Sequence, residues 1–280
     1  MTGLAVRAAA AVRSPQGRGP GDTPAALDYF RDLLTPFGEK PDEELLGGGA
    51  HVHHRDLVDL LVSDQGVNRS RPELLIVTHA LPDVVPFTAV APYLTERLGG
   101  RATNFAIGQQ GLAAPFTALR IAAAYHRSGR AAEVVLAVLE QTTLPTAFPL
   151  SPAVPLVDSA AALVLGAAAG PAGGAGLRLG GVHSGSSAAA ALESAVPGPA
   201  GLDADGTLLV LGPWVDEDLP AHGALHRAAP GSYCTSLWLE LAEHWQEWQR
   251  SYRRIVLCDT DPRSGRSHVA TFAHDTHQQG

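Results

Sequence analysis

Short apolar segments alternate with amphipathic segments along most of the chain. Residues 73–78 (ELLIVT) and 133–139 (EVVLAVL) are apolar on both faces, which is typical of strands in a sheet that is covered on both sides. Residues 54–63, 87–98 and 112–127 place apolar side chains at helical spacing, which predicts three helices. This alternation predicts an α/β layered domain with a mostly parallel sheet.

Weaker segments extend this pattern toward both ends of the chain. Residues 3–12 are interpreted as a first strand or helix, and the other predicted elements are helices over 25–34 and 236–252 and strands over 105–107, 156–166, 177–182, 207–211, 254–258 and 267–272. The strands over 156–166 and 177–182 are expected to form a hairpin across the glycine-rich residues 170–176. Residues 184–206, rich in Gly, Pro and Ala, are interpreted as a loop.

Composition narrows the classes of partner and the compartment. The chain has 280 residues, of which 45% are hydrophobic, and a net charge of −8 without a basic stripe, which argues against nucleic acid as a partner. No apolar run reaches the roughly 18 residues of a membrane span. The two cysteines, Cys234 and Cys258, lack metal-type spacing, which fits a reducing cytoplasm. We expect a cytoplasmic protein, from a GC-rich bacterial genome because Ala, Gly and Arg are abundant and Lys is scarce.

Four segments resemble, in order and spacing, the N-terminal half of β-ketoacyl-ACP synthase III enzymes of the thiolase superfamily. Residues 73–99 resemble the strand, loop and helix that precede the family's nucleophile. Residues 104–125 (NFAIGQQGLAAPFTALRIAAAY) resemble the family's FDVxAACxGFxYAL motif. EVVLAVLEQTTLP, over 133–145, is similar to the next buried strand and its dimer-facing loop. PLVDSAAALVLGA, over 155–167, is similar to the FGDGAGAAVL-type strand.

The resemblance implies a thiolase-like layered αβαβα fold with two pseudo-repeated halves. The N-terminal half is expected over residues 1–170 and a shortened C-terminal half over residues 171–280. Enzymes of this family condense acyl thioesters by Claisen chemistry, and their nucleophile is a Cys at the first turn of a buried helix. A helix N-terminus lowers the pKa of a thiol and therefore favours the reactive thiolate.

This sequence departs from the family at all three catalytic positions. Alignment of the helix over 112–127 places the family's Cys at Leu112, with Gly111 as the alternative, and neither residue is a nucleophile. The family's VPHQAN segment matches VLGPWVDED, which places its His at Gly212 or the following proline. The GNTSAASIPLAL segment matches PGSYCTSLWLELA, which places its Asn at Gly231. We therefore predict no catalytic residue of the family type. No G-x-G-x-x-G motif follows a strand and no P-loop is present, so we predict no cofactor, and the Cys and His spacings predict no metal.

The resemblance then implies an inactive subunit of a heterodimer. The chain is similar in this respect to the inactive small subunit of the quinolone-forming condensing enzyme. A catalytic ketosynthase-III-like partner would supply Cys, His and Asn and would engage acyl carrier protein or acyl-CoA. The strand over 133–139 is expected to pair across the two-fold axis. Val85 foremost, with Phe87 in the same loop, is expected to enter the partner's acyl pocket and limit chain length by excluded volume.

Two other function classes are compatible with the sequence. An acyltransferase or thioester hydrolase with a relocated nucleophile would use Cys234, which precedes a predicted helix. A stand-alone acyl-binding protein would hold its ligand without chemistry. Gln109 and Gln110 lie close to the vacated Cys position, where a glutamine supports malonyl decarboxylation in related synthases. They are interpreted instead as hydrogen-bond partners of buried backbone groups.

Two further groups of side chains receive structural interpretations. His51, His53 and His54 are interpreted as solvated loop residues rather than metal ligands, because no carboxylate follows at ligand spacing. Three tryptophans, Trp238, Trp245 and Trp248, share one helix face and are interpreted as a core or interface stripe.

Overall fold

The structure is a computed structural model that describes residues 3–19, 23–150, 155–167, 176–197, 201–203, 205–216, 219 and 223–274. Within these residues ten strands form one sheet in the order β3-β2-β4-β5-β1-β6-β10-β9-β7-β8. The strands are β1 (Leu4–Arg13), β2 (Leu74–His79), β3 (Thr103–Ile107), β4 (Glu133–Glu140), β5 (Ser159–Ala167), β6 (Arg178–Gly185), β7 (Thr207–Leu211), β8 (Ala224–Arg227), β9 (Arg254–Thr260) and β10 (Ser267–Ala273).

The sheet consists of two halves with the same strand order. Outward from the middle, the order is β1-β5-β4-β2-β3 on one side and β6-β10-β9-β7-β8 on the other. The halves meet where Ala5 of β1 pairs with Arg178 of β6. The predicted pair of pseudo-repeated halves is confirmed by this arrangement. The expected boundary between residues 170 and 171 lies outside the described residues and stays a prediction.

The sheet is mixed, so the prediction of a mostly parallel sheet is wrong. β2 runs parallel to β3 and β4, and β7 runs parallel to β8 and β9. The neighbours β4–β5, β5–β1, β1–β6, β6–β10 and β10–β9 are antiparallel, and such pairs need no crossover helix. The predicted hairpin across residues 170–176 is also wrong, because β1 lies between β5 and β6.

Eight α-helices lie within the described residues. They are α1 (Thr23–Leu34), α2 (Glu43–Gly48), α3 (His54–Ser63), α4 (Gln65–Asn68), α5 (Val90–Arg97), α6 (Ala114–Arg127), α7 (Ala188–Ala195) and α8 (Ser236–Ser251). Residues 184–206 are therefore not a loop throughout. β6 continues to Gly185, and Ser187 then caps α7 by accepting a hydrogen bond from the Ala190 N–H at 3.2 Å. No described helix combines the length and apolar character required to cross a membrane.

Helices and strands form five layers, because alternate side chains of a strand point to opposite faces. In β2, Leu75 and Val77 pack with α3 and α5, whereas Leu74 and Ile76 pack with α6 and α8. The C-terminal half repeats this division, because alternate residues of β7 pack with α8 or with α7. α6 and α8 therefore form a central layer between the two halves of the sheet, which is the predicted αβαβα order.

The C-terminal half is the shorter of the two. Four helices lie between β1 and β2, whereas α7 and a short 3-10 turn at Gly201–Asp203 are the helical elements described between β6 and β7. The connection from β2 to β3 contains α5, and no helix is described in the corresponding connection from β7 to β8. The extra helices of the N-terminal half cover the outer face of β2, β4 and β5.

Candidate functional site

The start of α6 is the position at which the family resemblance places a nucleophile. A 3-10 turn over Gly111–Ala113 leads into the helix. Leu112 is 2% exposed and belongs to the central core. Gly111 has a φ of +53°, and a Cβ at this residue would overlap the hydroxyl oxygen of Tyr233. The only side chain at either candidate position is therefore an alkyl group packed in the core.

Tyr233 belongs to the segment that leads into α8. Its hydroxyl donates a hydrogen bond to Asp261 Oδ1 at 2.9 Å, and burial together with the neighbouring Asp261 carboxylate raises the pKa of the phenol. The Trp214 ring lies 6.4 Å from the Tyr233 ring, and its indole N–H donates to the Ser232 carbonyl at 3.0 Å. Tyr233 is thus a hydrogen-bonded, protonated side chain that fills the space beside Gly111.

Gly212, the position matched to the family's His, follows β7 directly. A Cβ at Gly212 would overlap the carboxylate of Asp259, so this backbone position leaves no room for an imidazole. Asp259 Oδ1 accepts hydrogen bonds from the backbone N–H groups of Thr260 at 2.9 Å and Trp214 at 3.2 Å. Burial nevertheless raises the pKa of Asp259 to about 8. The carboxyl group therefore holds a proton at neutral pH.

Gly231, matched to the family's Asn, has a φ of +122°, a backbone conformation that side-chain-bearing residues rarely adopt. Its carbonyl accepts a hydrogen bond from the Val157 N–H at 2.8 Å. Tyr233 connects two of the predicted positions, since a Cβ at Gly111 would meet its hydroxyl and Gly231 precedes it by two residues, whereas Gly212 contacts Asp259. The role of these residues as former catalytic positions stays a prediction.

A cavity of about 460 Å³ opens beside Gly111. It is lined by Gln109, Gln110, Gly111, Ala113, Tyr233, Asp261, Arg263, Ser264, Arg266 and His268. The lining combines the loop before α6 with the turn between β9 and β10. Sequence reasoning missed Tyr233, Asp261 and the two arginines, and no spacing pattern could have found them, because the turn reaches α6 only through the packing of the two halves.

The two glutamines at this cavity are exposed, so their interpretation as partners of buried backbone groups is wrong. Gln110 Oε1 accepts a hydrogen bond from the Thr117 hydroxyl at 2.7 Å. Gln109 has a φ of +59°. The 3-10 turn after them directs the chain into the core, which leaves both amides at the rim of the cavity. His268 on the opposite side has its pKa lowered by burial and hydrogen-bonds the Ser184 hydroxyl at 2.9 Å.

Cys234 lies directly before α8 and is 2% exposed. Its backbone N–H and that of Tyr233 both donate to the carboxylate of Glu140 at 2.6 Å. Burial and the adjacent Glu140 carboxylate raise the pKa of the thiol well above its ordinary value. Burial also raises the pKa of Glu140, to about 7. The surroundings therefore disfavour the thiolate that a relocated nucleophile requires.

The loop after β2 contains the predicted pocket residues Val85 and Phe87. Phe87 is 69% exposed and packs edge-to-face on Tyr29 with a centroid distance of 5.2 Å. Val85 is half-buried. Phe87 rather than Val85 therefore presents apolar surface to solvent, although no contact with a second chain tests the prediction for either residue.

Strand β4 cannot pair across a two-fold axis, so this expectation is wrong. β4 is hydrogen-bonded to β2 on one side and to β5 on the other. In the described part of the sheet, β3 is the edge strand of the N-terminal half and pairs with β2 alone. β3 precedes the loop at Gln109 and α6, so the edge that is open to a second chain leads directly to the cavity.

The interpretation of the three histidines at the start of α3 as solvated loop residues is wrong for two of them. His51 and His54 are buried, and His53 is half-buried. The His54 backbone N–H donates to Asp83 Oδ1 at 3.2 Å, which draws the start of α3 under the loop after β2. Burial lowers the pKa of His54 to about 3. The tryptophan face of α8 packs on the core as predicted, with Trp238 and Trp248 buried.

Comparison with known proteins identifies relatives through structure. No sequence-family profile and no curated protein sequence matches the chain. The 3-oxoacyl-(acyl carrier protein) synthase III FabH from Xanthomonas oryzae pv. oryzae is 14% identical with a TM-score of 0.59, and the match covers 97% of this chain and 98% of that chain.

OleA from Xanthomonas campestris is a second structural relative. Its cerulenin-bound form is 14% identical with a TM-score of 0.63, covering 97% of this chain and 98% of that chain. A variant of OleA with bound lauric acid and lauroyl-CoA is 13% identical with a TM-score of 0.61, covering 97% and 99%. The chain therefore has the thiolase-like fold of these proteins.

Proposed function

We propose that this chain is a non-catalytic, ketosynthase-III-like subunit that pairs with an active homologue and supports Claisen-type condensation of acyl thioesters. The observation that carries the proposal is the start of α6. Here Gly111 and Leu112 stand where the resemblance places the nucleophile, and Tyr233 fills the space beside Gly111. An active enzyme of this type needs a thiolate at that helix N-terminus.

The surroundings of the other two vacated positions support the same conclusion. An imidazole at Gly212 would collide with Asp259, and the positive φ of Gly231 disfavours an asparagine. A single lost residue could be replaced by a neighbour, but here a packed side chain at Gly212 and the backbone conformation at Gly231 oppose two of the three side chains. The chain is therefore proposed to rely on a partner for Cys, His and Asn.

The pairing surface is proposed to include β3 and Phe87. An edge strand presents unpaired backbone groups that a second strand can complete. Phe87 adds exposed aromatic surface beyond the carboxyl end of the neighbouring strand β2. Removing an apolar side chain that becomes buried on association costs about 1.5–3 kcal/mol, so Phe87 is expected to contribute measurably to assembly.

The two other function classes receive less support from the described residues. A relocated nucleophile at Cys234 conflicts with its burial and with the raised pKa of its thiol. The cavity beside Gly111 does not suit a stand-alone acyl-binding protein, because Arg263, Arg266 and Asp261 line it. An alkyl chain would bury these charged groups without hydrogen bonds.

The experiment is co-expression with the ketosynthase-III-like protein that is encoded nearest to this chain, followed by native mass analysis and an acyl-transfer assay. A stable heterodimer, active only when both chains are present, is the expected result. Phe87→Ser should weaken assembly by about ten-fold. The control Leu225→Ser changes an exposed apolar residue on β8, at the opposite edge of the sheet, and should leave assembly unchanged.

The same preparations also test the alternatives. If the isolated chain turns over an acyl thioester and Cys234→Ala abolishes the reaction, the chain is an enzyme in its own right and the proposal is wrong. If it remains unpaired in every combination and retains an acyl molecule on purification, the acyl-binding alternative replaces the proposal.

A further inference from the structure

The C-terminal half of the chain contains a group of side chains of metal-ligand type, between the first turns of α8 and the neighbouring strand β8. Glu240 and His244 lie one helical turn apart on α8, and His226 lies on the short edge strand β8. His226 Nε2 donates a hydrogen bond to Glu240 Oε2 at 2.7 Å, and His244 Nε2 lies 3.8 Å from the same oxygen. The ligand atoms of all three residues lie within 4.8 Å of one another.

We propose that His226, Glu240 and His244 form a binding site for a zinc-class divalent cation that joins β8 to α8. Two imidazoles and one carboxylate are a donor set that zinc prefers. At about 2.1 Å from each ligand, a tetrahedral ion holds neighbouring ligand atoms about 3.4 Å apart. The two distances from Glu240 Oε2 lie on either side of this value, so small rotations of the half-exposed imidazoles complete the site.

The residues around the site hold its ligands in place. Arg13 donates to the other carboxylate oxygen, Glu240 Oε1, at 2.8 Å, which leaves Oε2 directed at the histidines. Trp248 stacks on the His244 ring with a centroid distance of 5.2 Å and meets the His226 ring edge-on, also at 5.2 Å. Such outer contacts orient metal ligands and raise affinity.

The charge of Arg13 opposes cation binding and must be compensated. Its guanidinium also forms hydrogen bonds with both carboxylate oxygens of Glu243, at 2.7 and 3.0 Å. Glu247 adds a further carboxylate on α8, with Oε2 3.8 Å from His244 Nδ1. With three carboxylates and one arginine at this place, the local charge favours a divalent cation, and Glu247 can accept the Nδ1 proton of a metal-bound His244.

Binding of the cation has a structural consequence and a proton balance. In the described part of the chain, β8 is hydrogen-bonded within the sheet to β7 alone, so a cation held from both sides would fix this edge strand to α8. Zinc would take the place of the proton that His226 Nε2 donates to Glu240, and this proton would move to Nδ1 of the same imidazole. Binding stabilises the folded chain because the ligands come together only on folding.

The test uses the full chain without a purification tag, treated with a chelator and then titrated with Zn²⁺. Calorimetry measures affinity. Metal analysis after desalting measures stoichiometry, and thermal unfolding measures stabilisation. The expected result is about one Zn²⁺ per chain, with a raised Tm. Mg²⁺ is expected to bind much more weakly, because it prefers oxygen ligands.

The variants His226→Gln and His244→Gln each remove one half-exposed ligand and should weaken zinc binding by at least about ten-fold. His183→Gln is the matched control, since His183 is a half-buried histidine on β6 that contacts Ser194. Circular dichroism verifies that each variant folds. The proposal is overturned if the wild-type chain binds no more zinc than the His226→Gln/His244→Gln double variant, or if His183→Gln alone reduces binding.

Discussion

The two helices of the central layer, α6 and α8, follow the third strand of each half but begin in different ways. At α8 the buried carboxylate of Glu140 accepts the backbone N–H groups of Tyr233 and Cys234. At α6 no described side chain caps the first turn, and Gly111 stands beside the Tyr233 hydroxyl. The segment just before α8 is therefore held by a buried carboxylate, whereas the turn before α6 faces a cavity.

This difference shows how each of the two equivalent positions is occupied. A helix N-terminus attracts negative charge, and the Glu140 carboxylate lies just before α8, on the backbone N–H groups of the two residues that precede its N-cap residue Thr235. At α6 the corresponding position is reached from the cavity that contains Arg263 and Arg266. In an enzyme of this fold a thiolate would use that position, whereas here Tyr233 reaches it from the other half of the chain.

The largest effect is expected from Glu140→Ala, which removes the carboxylate that holds the segment before α8. The N–H groups of Tyr233 and Cys234 would lose their acceptor in the core, at a cost of about 2–5 kcal/mol in the free energy of unfolding. Urea unfolding measures the change. Glu193→Ala, at an exposed glutamate of α7, serves as the control and should change stability by less than about 0.5 kcal/mol. Similar losses in both variants would contradict a role for Glu140 in holding the segment before α8.

Gly111→Ala tests the open helix start. The new Cβ would collide with the Tyr233 hydroxyl and would hold alanine at a positive φ, so we expect a loss of about 2–3 kcal/mol. Tyr233→Phe removes the colliding oxygen, and the same substitution in that background should cost about 1 kcal/mol less. A double-mutant cycle by urea unfolding measures the coupling. Strict additivity would mean that Tyr233 does not occupy the space beside Gly111.

Asp259→Asn tests the buried carboxyl group beside Gly212 through pH. The folded chain keeps the Asp259 proton up to about pH 8, whereas the unfolded chain loses it near 3.8. The folded state therefore binds more protons between these values, and stability falls as pH rises, by up to about 1.4 kcal/mol per pH unit.

Asparagine cannot titrate, so the stability of the Asp259→Asn variant should fall less steeply with pH than that of the wild-type chain. The urea concentration at the midpoint of unfolding is measured at about pH 6, 7, 8 and 9 for both proteins, because steps of about one pH unit resolve such a slope. Glu140 and His54 titrate equally in both proteins and cancel in the difference. Parallel pH profiles would exclude a raised pKa for Asp259.

The smallest effect is expected from Thr117→Val at the rim of the cavity. The variant loses the hydrogen bond from the Thr117 hydroxyl to Gln110, which is exposed and worth about 0.5–1 kcal/mol. Thermal unfolding should show a slight decrease in Tm. The comparison variant is Thr95→Val, which removes a buried hydroxyl hydrogen-bonded within α5 and is expected to lower Tm further. An effect of Thr117→Val that exceeds that of Thr95→Val would mean that this rim contact supports the whole start of α6.

Local elements were predictable wherever the pattern was strong. The helix over 54–63 has the predicted bounds, and the apolar segment over 133–139 is β4, because periodicity and burial on both faces are recorded in adjacent residues. The whole of α7 was missed, because residues 184–206 were interpreted as a loop. Ser187 is an ordinary N-cap residue, but the alanine-rich segment after it has little polar contrast between its faces.

Pairings between distant segments were the main source of wrong predictions. Residues 156–166 and 177–182 are both strands, yet β1 separates them, and no property of the two segments indicates a third strand between them. The wrong prediction that β4 pairs with a second chain has the same cause, because no property of that segment indicates that β2 and β5 flank it. His54 was interpreted as a solvated loop residue because no carboxylate follows at ligand spacing, yet it is buried beside the loop after β2.

The sequence by itself determined most of the strands and helices and the lack of a Cys, His or Asn side chain at Gly111, Leu112, Gly212 and Gly231, because each depends on the identity of residues that are adjacent in the chain. Only the tertiary structure decided that β3 rather than β4 is the open edge, and that Tyr233, Asp259 and Asp261 fill the space at those positions. These contacts exist because α6 and α8 pack together between the two halves of the sheet, and such packing joins residues whose separation in sequence carries no local signal.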